Sequence, residues 1–130
     1  MDCIFCKIIS GQVPSAKVYE DDDIVGFLDL TPNTKGHSLV VPKKHFENIF
    51  DADPKSLQKI ILAGKAVAIK LKEALDATGI NIAINNGKDA GQIVPHFHLH
   101  VIPKYENGQS NLPKNPSFED FKVLAAKINK

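Results

Sequence analysis

Three histidines alternate with apolar residues at positions 96–102, which read His-Phe-His-Leu-His-Val-Ile. In a β-strand, successive side chains point to opposite faces, so His96, His98 and His100 would share one face while the apolar residues enter the core. A helix would instead spread the imidazoles around its axis. Imidazoles this close repel one another when protonated, so at least some stay neutral at pH 7. The pattern predicts nucleophilic chemistry or metal binding.

Two cysteines close to the N-terminus, Cys3 and Cys6, have the spacing of a two-thiolate zinc knuckle. They fill half of a tetrahedral site, and two histidine nitrogens commonly complete such a site. The candidates are His45 and one member of the histidine triplet. Two buried free cysteines are the alternative. A thioredoxin-like redox pair is disfavoured because no predicted strand precedes the Cys-x-x-Cys motif.

A polar connection with two glycines leads into the histidine segment at residues 85–92, Asn-Asn-Gly-Lys-Asp-Ala-Gly-Gln. Backbone N–H groups in such a loop can hold a phosphate. A plain hairpin turn is the alternative interpretation. The position of the loop beside three histidines favours phosphate binding.

Helix caps and periodicity predict the elements that position these residues. Asp2 caps a short N-terminal helix that Gly11 ends, with apolar residues at helical spacing: Ile4, Phe5, Ile8 and Ile9. A long helix has Asp53 as its N-cap and Pro54 at its first position, and Gly79 ends it. Its apolar stripe comprises Leu57, Ile60, Ile61, Val67, Ala68, Leu71 and Leu75.

The remaining predicted elements are strands and one C-terminal helix. The strands cover residues 18–19, 24–28, 38–41, 80–84 and 96–102. Ser117, with Asp120 three residues later, caps the last helix. Several strands before one long helix, followed by a hairpin, predict the α+β class. We expect an antiparallel sheet of about five strands with the long helix packed on it and short helices at both ends of the chain.

Length and charge limit the functional classes. A chain of 130 residues predicts a single domain spanning residues 1–130. Sixteen basic against fifteen acidic side chains give a net charge of +1, which lacks the electrostatic signature of a general nucleic-acid binder. The N-terminus lacks the features of a secretory signal, and no apolar run reaches membrane-spanning length. We therefore expect a cytoplasmic protein that binds neither nucleic acid nor membrane.

These segments together resemble the histidine triad (HIT) family, whose signature of His-x-His-x-His followed by two apolar residues is matched by residues 96–102. The similarity continues, in order, at residues 3–9, 27–29, 36–45 and 85–92. It covers roughly residues 2–104 and leaves 105–130 as a divergent C-terminal extension. The resemblance implies a HIT-like fold and a homodimer.

The resemblance also implies a nucleotide hydrolase or transferase that cleaves purine nucleoside phosphoramidates of the AMP type. In it, His98 attacks the α-phosphorus and forms a nucleotidyl-histidine, and His37 supports the triad. His100 would either stabilise the charge of the phosphoryl oxygens or help the leaving group. Two alternatives stay open. One is a dinucleoside polyphosphate hydrolase, and the other is a non-enzymatic, zinc-stabilised nucleotide-binding module.

Binding residues carry over by resemblance as well. Asp29 corresponds to the residue that binds the ribose hydroxyls, and Asn85, with the backbone around Gly91, Gln92 and Ile93, to the phosphate contacts. The base would lie among apolar side chains: Ile4, Phe5, Ile8, Phe27 and Leu30. Zinc-bearing bacterial members of the family suggest a structural zinc bound by Cys3, Cys6, His45 and His96. Ile93 departs from the Ser or Thr usual at its position, which leaves the leaving-group preference open.

Overall fold

The computed structural model describes residues 3–130, so the predicted cap at Asp2 lies outside the described residues. Three helices and five strands follow in the order α1 (Ile4–Ile9), β1 (Lys17–Glu20), β2 (Ile24–Leu28), β3 (Ser38–Pro42), α2 (Pro54–Leu75), β4 (Gly79–Ala83), β5 (Leu99–Lys104) and α3 (Phe118–Ile128). The strands form one antiparallel sheet in the order β1-β2-β3-β5-β4. The predicted α+β fold is confirmed.

The sheet is covered on both faces, which explains why every residue of β2 and β3 is buried. Helices α2 and α3 cover one face, and their cluster includes Ile60, Val67, Leu71, Phe97 and Phe121. Helix α1 covers the other face, with a smaller cluster that includes Cys3, Phe5, Ile8, Phe27 and Leu39. Across the described residues, none of the helices has the length and apolar character that crossing a membrane requires.

Helix α2 begins as predicted but ends earlier. The Asp53 carboxylate accepts a hydrogen bond from the Ser56 N–H at 2.7 Å, and Pro54 occupies the first turn. The prediction that Gly79 ends the helix is wrong, because Asp76 adopts the left-handed conformation (φ 56°) and Gly79 already begins β4. Ile61 was wrongly placed on the buried stripe and is 50% exposed. It follows Ile60 by about 100° around the helix axis, which turns it away from the sheet.

The histidine strand begins later than predicted. β5 starts at Leu99 and continues to Lys104, so His96 and His98 precede it. Continuing the β3 register, in which Leu39 faces His100 and Val40 faces Leu99, would place Pro42 opposite Phe97. Pro42 has no N–H to donate, and the ladder ends before it reaches this residue. The alternation nevertheless survives, since Phe97, Leu99 and Val101 are all buried in the core that α2 covers.

Gly36 fixes the turn that leads into His37. Its φ of +91° is one that side-chain-bearing residues rarely adopt, and a Cβ there would lie 2.5 Å from Leu75 Cδ1. This close approach seats the 29–37 loop against the end of α2. The position of His37, immediately before β3, follows from it.

Residues 105–130, predicted to be a divergent extension, pack onto the same core. Tyr105 is buried and donates its hydroxyl proton to the Lys35 carbonyl oxygen at 2.6 Å. Ser117 and Asp120 form the predicted capping box at the start of α3. Helix α3 then buries Phe121, Ala125 and Ile128 against α2 and β1.

Candidate active site

The four predicted metal ligands converge at one place between α1 and the histidine segment. Cys3 Sγ lies 3.4 Å from His96 Nδ1, and Cys6 Sγ lies 3.4 Å from His45 Nδ1 and 3.6 Å from His96 Nδ1. The two imidazole Nδ1 atoms are 3.0 Å apart. Tetrahedral zinc with its usual bond lengths would separate such donor atoms by about 3.3–3.8 Å. The three sulfur–nitrogen distances lie within this range, and the distance between the two nitrogens is slightly shorter.

The chemistry of these donors also fits a zinc ion. His96 Nε2 faces the Pro42 carbonyl oxygen at 2.9 Å, which can only accept, so we assign the proton to Nε2. Its Nδ1 lone pair then points to the sulfur atoms. A backbone carbonyl that accepts the proton of the far ring nitrogen commonly orients metal-binding histidines in this way. Two thiolates and two imidazoles are the donor set of a closed, structural zinc site.

His98 presents one ring nitrogen as a free lone pair. Its Nδ1 lies 2.7 Å from the His96 carbonyl oxygen, so Nδ1 carries the proton and Nε2 does not. The side chain is buried, with 6% exposed, and burial lowers its pKa. A neutral imidazole with an unprotonated Nε2 is the state that nucleophilic attack requires.

A chain of hydrogen bonds, called the relay below, fixes the tautomers of the two neighbouring histidines, His37 and His100. The Asn33 N–H donates to His37 Nδ1 at 3.0 Å, which leaves the His37 proton on Nε2. The His37 Nε2–H donates to His100 Nδ1 at 2.9 Å, so the proton of a neutral His100 lies on its own Nε2. The ring centroids of His98 and His100 are 5.0 Å apart. His100 can therefore donate a hydrogen bond to a phosphoryl oxygen held at His98.

Asp29, His37 and His100 also offer three donor atoms within 4.8 Å of one another, a grouping that could hold a cation. The relay argues against this use. With the Asn33 N–H already on Nδ1, the nitrogen of His37 that faces the other two residues carries a proton. We therefore interpret this group as a hydrogen-bonded support for His100.

Burial keeps both relay histidines neutral. It lowers the pKa of His37 against the opposing effect of Asp29, and the charge of Lys104 lowers it further. Burial also lowers the pKa of His100, and repulsion from His98 and His37 helps to bring it to about 4. At pH 7 neither ring is charged.

Acidification is expected to reduce the free energy of unfolding. The reason is that His37 and His100 have lower pKa values in the folded protein than in the unfolded chain, so the unfolded chain binds more protons as the pH falls. An unfolded imidazole titrates near about pH 6.5, whereas folded His100 titrates at about 4. The stabilisation is thus complete above about pH 6.5 and is lost as the pH falls towards about 4. Urea unfolding at about pH 7.5, 6.5 and 5.5 measures the decline. The free energy of unfolding of His100→Gln should fall less over this pH range than that of the wild type. An equal fall in the two proteins would contradict a lowered pKa of His100 in the folded state.

The residues predicted to hold the base line a single cleft. Ile4, Phe5, Ile8, Phe27, Asp29 and Leu30 surround a cavity of about 170 Å³ beside the histidines. The Phe5 ring packs edge-on against Phe27 (centroids 5.5 Å apart) and against His98 (5.1 Å). Sequence reasoning missed four further lining residues: Pro14, Ser15, Leu28 and Leu39. Of these, Leu39 was predictable, since it lies two positions after His37 on β3 and so shares its face.

Asp29 sits at the rim of this cleft with one oxygen already engaged. Its Oδ1 accepts hydrogen bonds from both the N–H and the hydroxyl of Thr31, at 2.9 and 3.0 Å. Its Oδ2 lies 3.6 Å from His37 Nε2. Thr31 thus orients the carboxylate, and Oδ2 can accept a hydrogen bond from a molecule bound in the cleft.

The predicted phosphate loop is organised differently from expectation. The Gln92 side chain ties the loop together, accepting from the Gly87 N–H at 2.8 Å and donating to the Glu47 carbonyl oxygen at 2.6 Å. The backbone N–H groups of Gly91 and Gln92 are also used inside the loop. Within residues 3–130, the Ile93 N–H has no such partner. This N–H and the Asn85 side chain, whose Nδ2 lies near Gly91, are among the groups of the loop that could bind an anion.

A sequence-family model described as the HIT domain matches residues 10–107. Among solved structures, a zinc-bound histidine triad family protein from Mycobacterium smegmatis superposes with a TM-score of 0.86 and 39% identity, over 98% of this chain and 94% of that one. A hypothetical histidine triad nucleotide-binding protein from Sulfolobus tokodaii strain7 gives 0.89 and 34%, over 98% and 89%. A HIT family hydrolase from Clostridium thermocellum gives 0.71 and 34%, over 85% and 97%.

Proposed function

The chain belongs to the HIT domain family, and we propose that it is a nucleotide hydrolase or transferase that cleaves purine nucleoside phosphoramidates of the AMP type through a nucleotidyl-histidine on His98. One observation carries the proposal. The His96 carbonyl oxygen holds the proton of His98 on Nδ1, so the Nε2 lone pair of a buried, neutral ring is free beside the apolar cleft. The related nucleotide-binding protein and hydrolase support the same class of activity.

The reaction proceeds in two displacements. His98 Nε2 attacks the α-phosphorus and forms a P–N bond, while the bond to the leaving amine breaks and the amine takes a proton from solvent. Water then attacks the same phosphorus and gives one proton to solvent, the P–N bond to Nε2 breaks with its electron pair returning to Nε2, and AMP is released. His100, fixed by His37, donates its Nε2–H to the phosphoryl oxygens as their charge grows.

Zinc in this proposal has a structural role and takes no part in either displacement. Cys3, Cys6, His45 and His96 hold it, and the related zinc-bound protein supports this assignment. Zinc thiolates of this kind persist in a reducing compartment, which is consistent with a cytoplasmic protein. His98→Ala should keep its zinc while Cys3→Ala loses it. Loss of zinc from His98→Ala would favour the non-enzymatic zinc-stabilised module.

Substrate competition tests the proposed function. Purified protein is given adenosine phosphoramidate and diadenosine polyphosphate separately and then together, and AMP release is followed. We expect turnover of the phosphoramidate, with only weak inhibition by the polyphosphate. Preference for the polyphosphate would favour the dinucleoside polyphosphate hydrolase, and failure of both substrates would favour the nucleotide-binding module.

Ile93→Ser is expected to change which leaving groups are accepted. Ile93 is 92% exposed and lines an open groove of about 500 Å³ next to the phosphate loop. A serine there supplies a hydroxyl that can donate a proton to a departing amine, so poor leaving groups should gain about tenfold in kcat/KM while good ones change little. The readout is kcat/KM over a series of amines of different basicity. An equal change for every amine would contradict a leaving-group role.

A homodimer is proposed through β4. This strand is at the edge of the sheet, so its outer N–H and C=O groups can pair with a second copy. Ile82 on β4 is exposed, and α2, which packs against β4, carries three more exposed apolar side chains: Ile61, Leu62 and Ile69. Sedimentation should show a dimer for the wild type and for the α3 control Val123→Asp, but a monomer for Ile82→Asp. A monomeric wild type would contradict this proposal.

A further inference from the structure

His96 and Phe5 both contact the candidate nucleophile His98, and both are tied to the metal cluster. His96 is one of its four ligands, and Phe5 lies between the ligands Cys3 and Cys6. We infer that His96 and Phe5 are positioning residues, through which occupancy of the Cys3–Cys6–His45–His96 cluster sets the tautomer of His98 and the shape of the base cleft. This inference rests on the proposed function and deepens it. The cluster would then control turnover as well as stability.

The first link is the backbone of His96. Its carbonyl oxygen fixes the proton of His98 on Nδ1, yet the segment that carries it is outside the sheet, because β5 begins only at Leu99. The Phe97 N–H, bonded to the Phe46 carbonyl oxygen at 2.7 Å, is one restraint on this segment. The fully buried Phe97 side chain is a second restraint, and the His96 ring supplies two more, with Nε2 on Pro42 and Nδ1 in the cluster. The direction of the carbonyl therefore depends in part on a ring held at both nitrogens.

The second link is helix α1. Its six residues are too few for an independently stable helix, and it buries only Phe5 and Ile8. Cys3 and Cys6, which bracket Phe5, fix the helix to His45 and His96 through the cluster. The Phe5 ring in turn contacts His96 (centroids 5.8 Å apart) and His98 (5.1 Å) edge-on. Without metal, Cys3 and Cys6 would no longer fix α1, and the Phe5 ring, which lines the cleft and contacts His98, could move.

These links predict a pattern that a simple structural brace does not give. Loss of a simple brace lowers the free energy of unfolding and leaves the site of the remaining folded protein unchanged. Loss of the coupling that we propose also alters the tautomer of His98 within folded protein, and it weakens AMP binding because α1 forms one side of the cleft. Outer partners of a site commonly contribute about ten- to a hundredfold in affinity or activity, and we expect losses of this size.

The test follows His98 in ¹⁵N-histidine-labelled full-length protein by two-bond ¹H–¹⁵N correlation, without substrate. Zinc-loaded protein should show His98 as the single Nδ1–H tautomer, and zinc-stripped protein a mixture that zinc or cadmium restores. His37 is the internal control, because Asn33 and not the cluster fixes its tautomer. AMP affinity, measured by calorimetry on the same samples, should fall about tenfold on stripping.

Phe5→Leu decides the question even if the stripped chain unfolds. It keeps all four ligands, so it should retain one zinc per chain yet show mixed His98 tautomers and weaker AMP binding. Phe121→Leu, on α3 across the sheet, is the matched control and should change neither. An unchanged His98 tautomer in folded zinc-stripped protein would overturn the coupling, and so would an unchanged tautomer in zinc-loaded Phe5→Leu where the stripped chain unfolds. Because the tautomer is read without turnover, failure of the proposed reaction would appear separately, as activity retained in His98→Ala.

Discussion

His98→Ala is expected to slow AMP release from adenosine phosphoramidate by about a thousandfold or more, equivalent to at least about 4 kcal/mol of activation free energy. The variant removes the atom that forms the new bond to phosphorus. His100 Nε2–H remains, and so does the cleft, so substrate binding should change much less than kcat. Steady-state kinetics of both proteins at equal concentration measure the effect.

His98→Gln is the matched control for packing. It keeps a polar side chain of similar size against Phe5 but offers no nucleophilic nitrogen, since an amide nitrogen has no free lone pair. It should be as inactive as His98→Ala while unfolding close to the wild type. Turnover by either variant at the wild-type rate would exclude His98 as the nucleophile.

Phe97→Ala is expected to lower the free energy of unfolding by about 3–5 kcal/mol. Phe97 is completely buried in the cluster that includes Ile60, Leu71 and Phe46. Truncation loses the transfer free energy of a large aromatic ring and leaves a cavity between the sheet and α2. Urea unfolding at pH 7.5 or so provides the measurement.

Val123→Ala controls for the loss of an apolar side chain without a cavity. Val123 is largely exposed on α3, so its truncation should change the free energy of unfolding by less than about 0.5 kcal/mol. If Phe97→Ala cost no more than this control, the division of residues 96–102 into a core face and a histidine face would be incorrect.

Local patterns in the sequence predicted much of the fold. The alternation at residues 96–102 separated three buried apolar residues from the three histidines, because a period of two survives even where the segment is not in the hydrogen-bonded ladder. The Asp53 cap and the Ser117–Asp120 capping box were predictable, since they depend on residues three positions apart.

Features that depend on distant partners were not predictable. The start of β5 at Leu99 depends on where β3 stops being able to pair, at Pro42. The tautomers of His37, His96 and His98 depend on backbone groups brought to them by the fold. The role of the Gln92 side chain in bracing its own loop likewise depends on Glu47, 45 positions away. No pattern local to the sequence contains these contacts.

The most direct test of the account is the mass of the protein quenched during turnover of adenosine phosphoramidate. Quenching in alkaline denaturant preserves a P–N bond to imidazole, and peptide mapping locates it. We predict that the wild type carries one adenylyl group on the peptide containing His98, on its imidazole, and that His98→Gln carries none. An adenylyl group on another residue, or active protein that never gains mass at any quench time, would contradict covalent catalysis by His98.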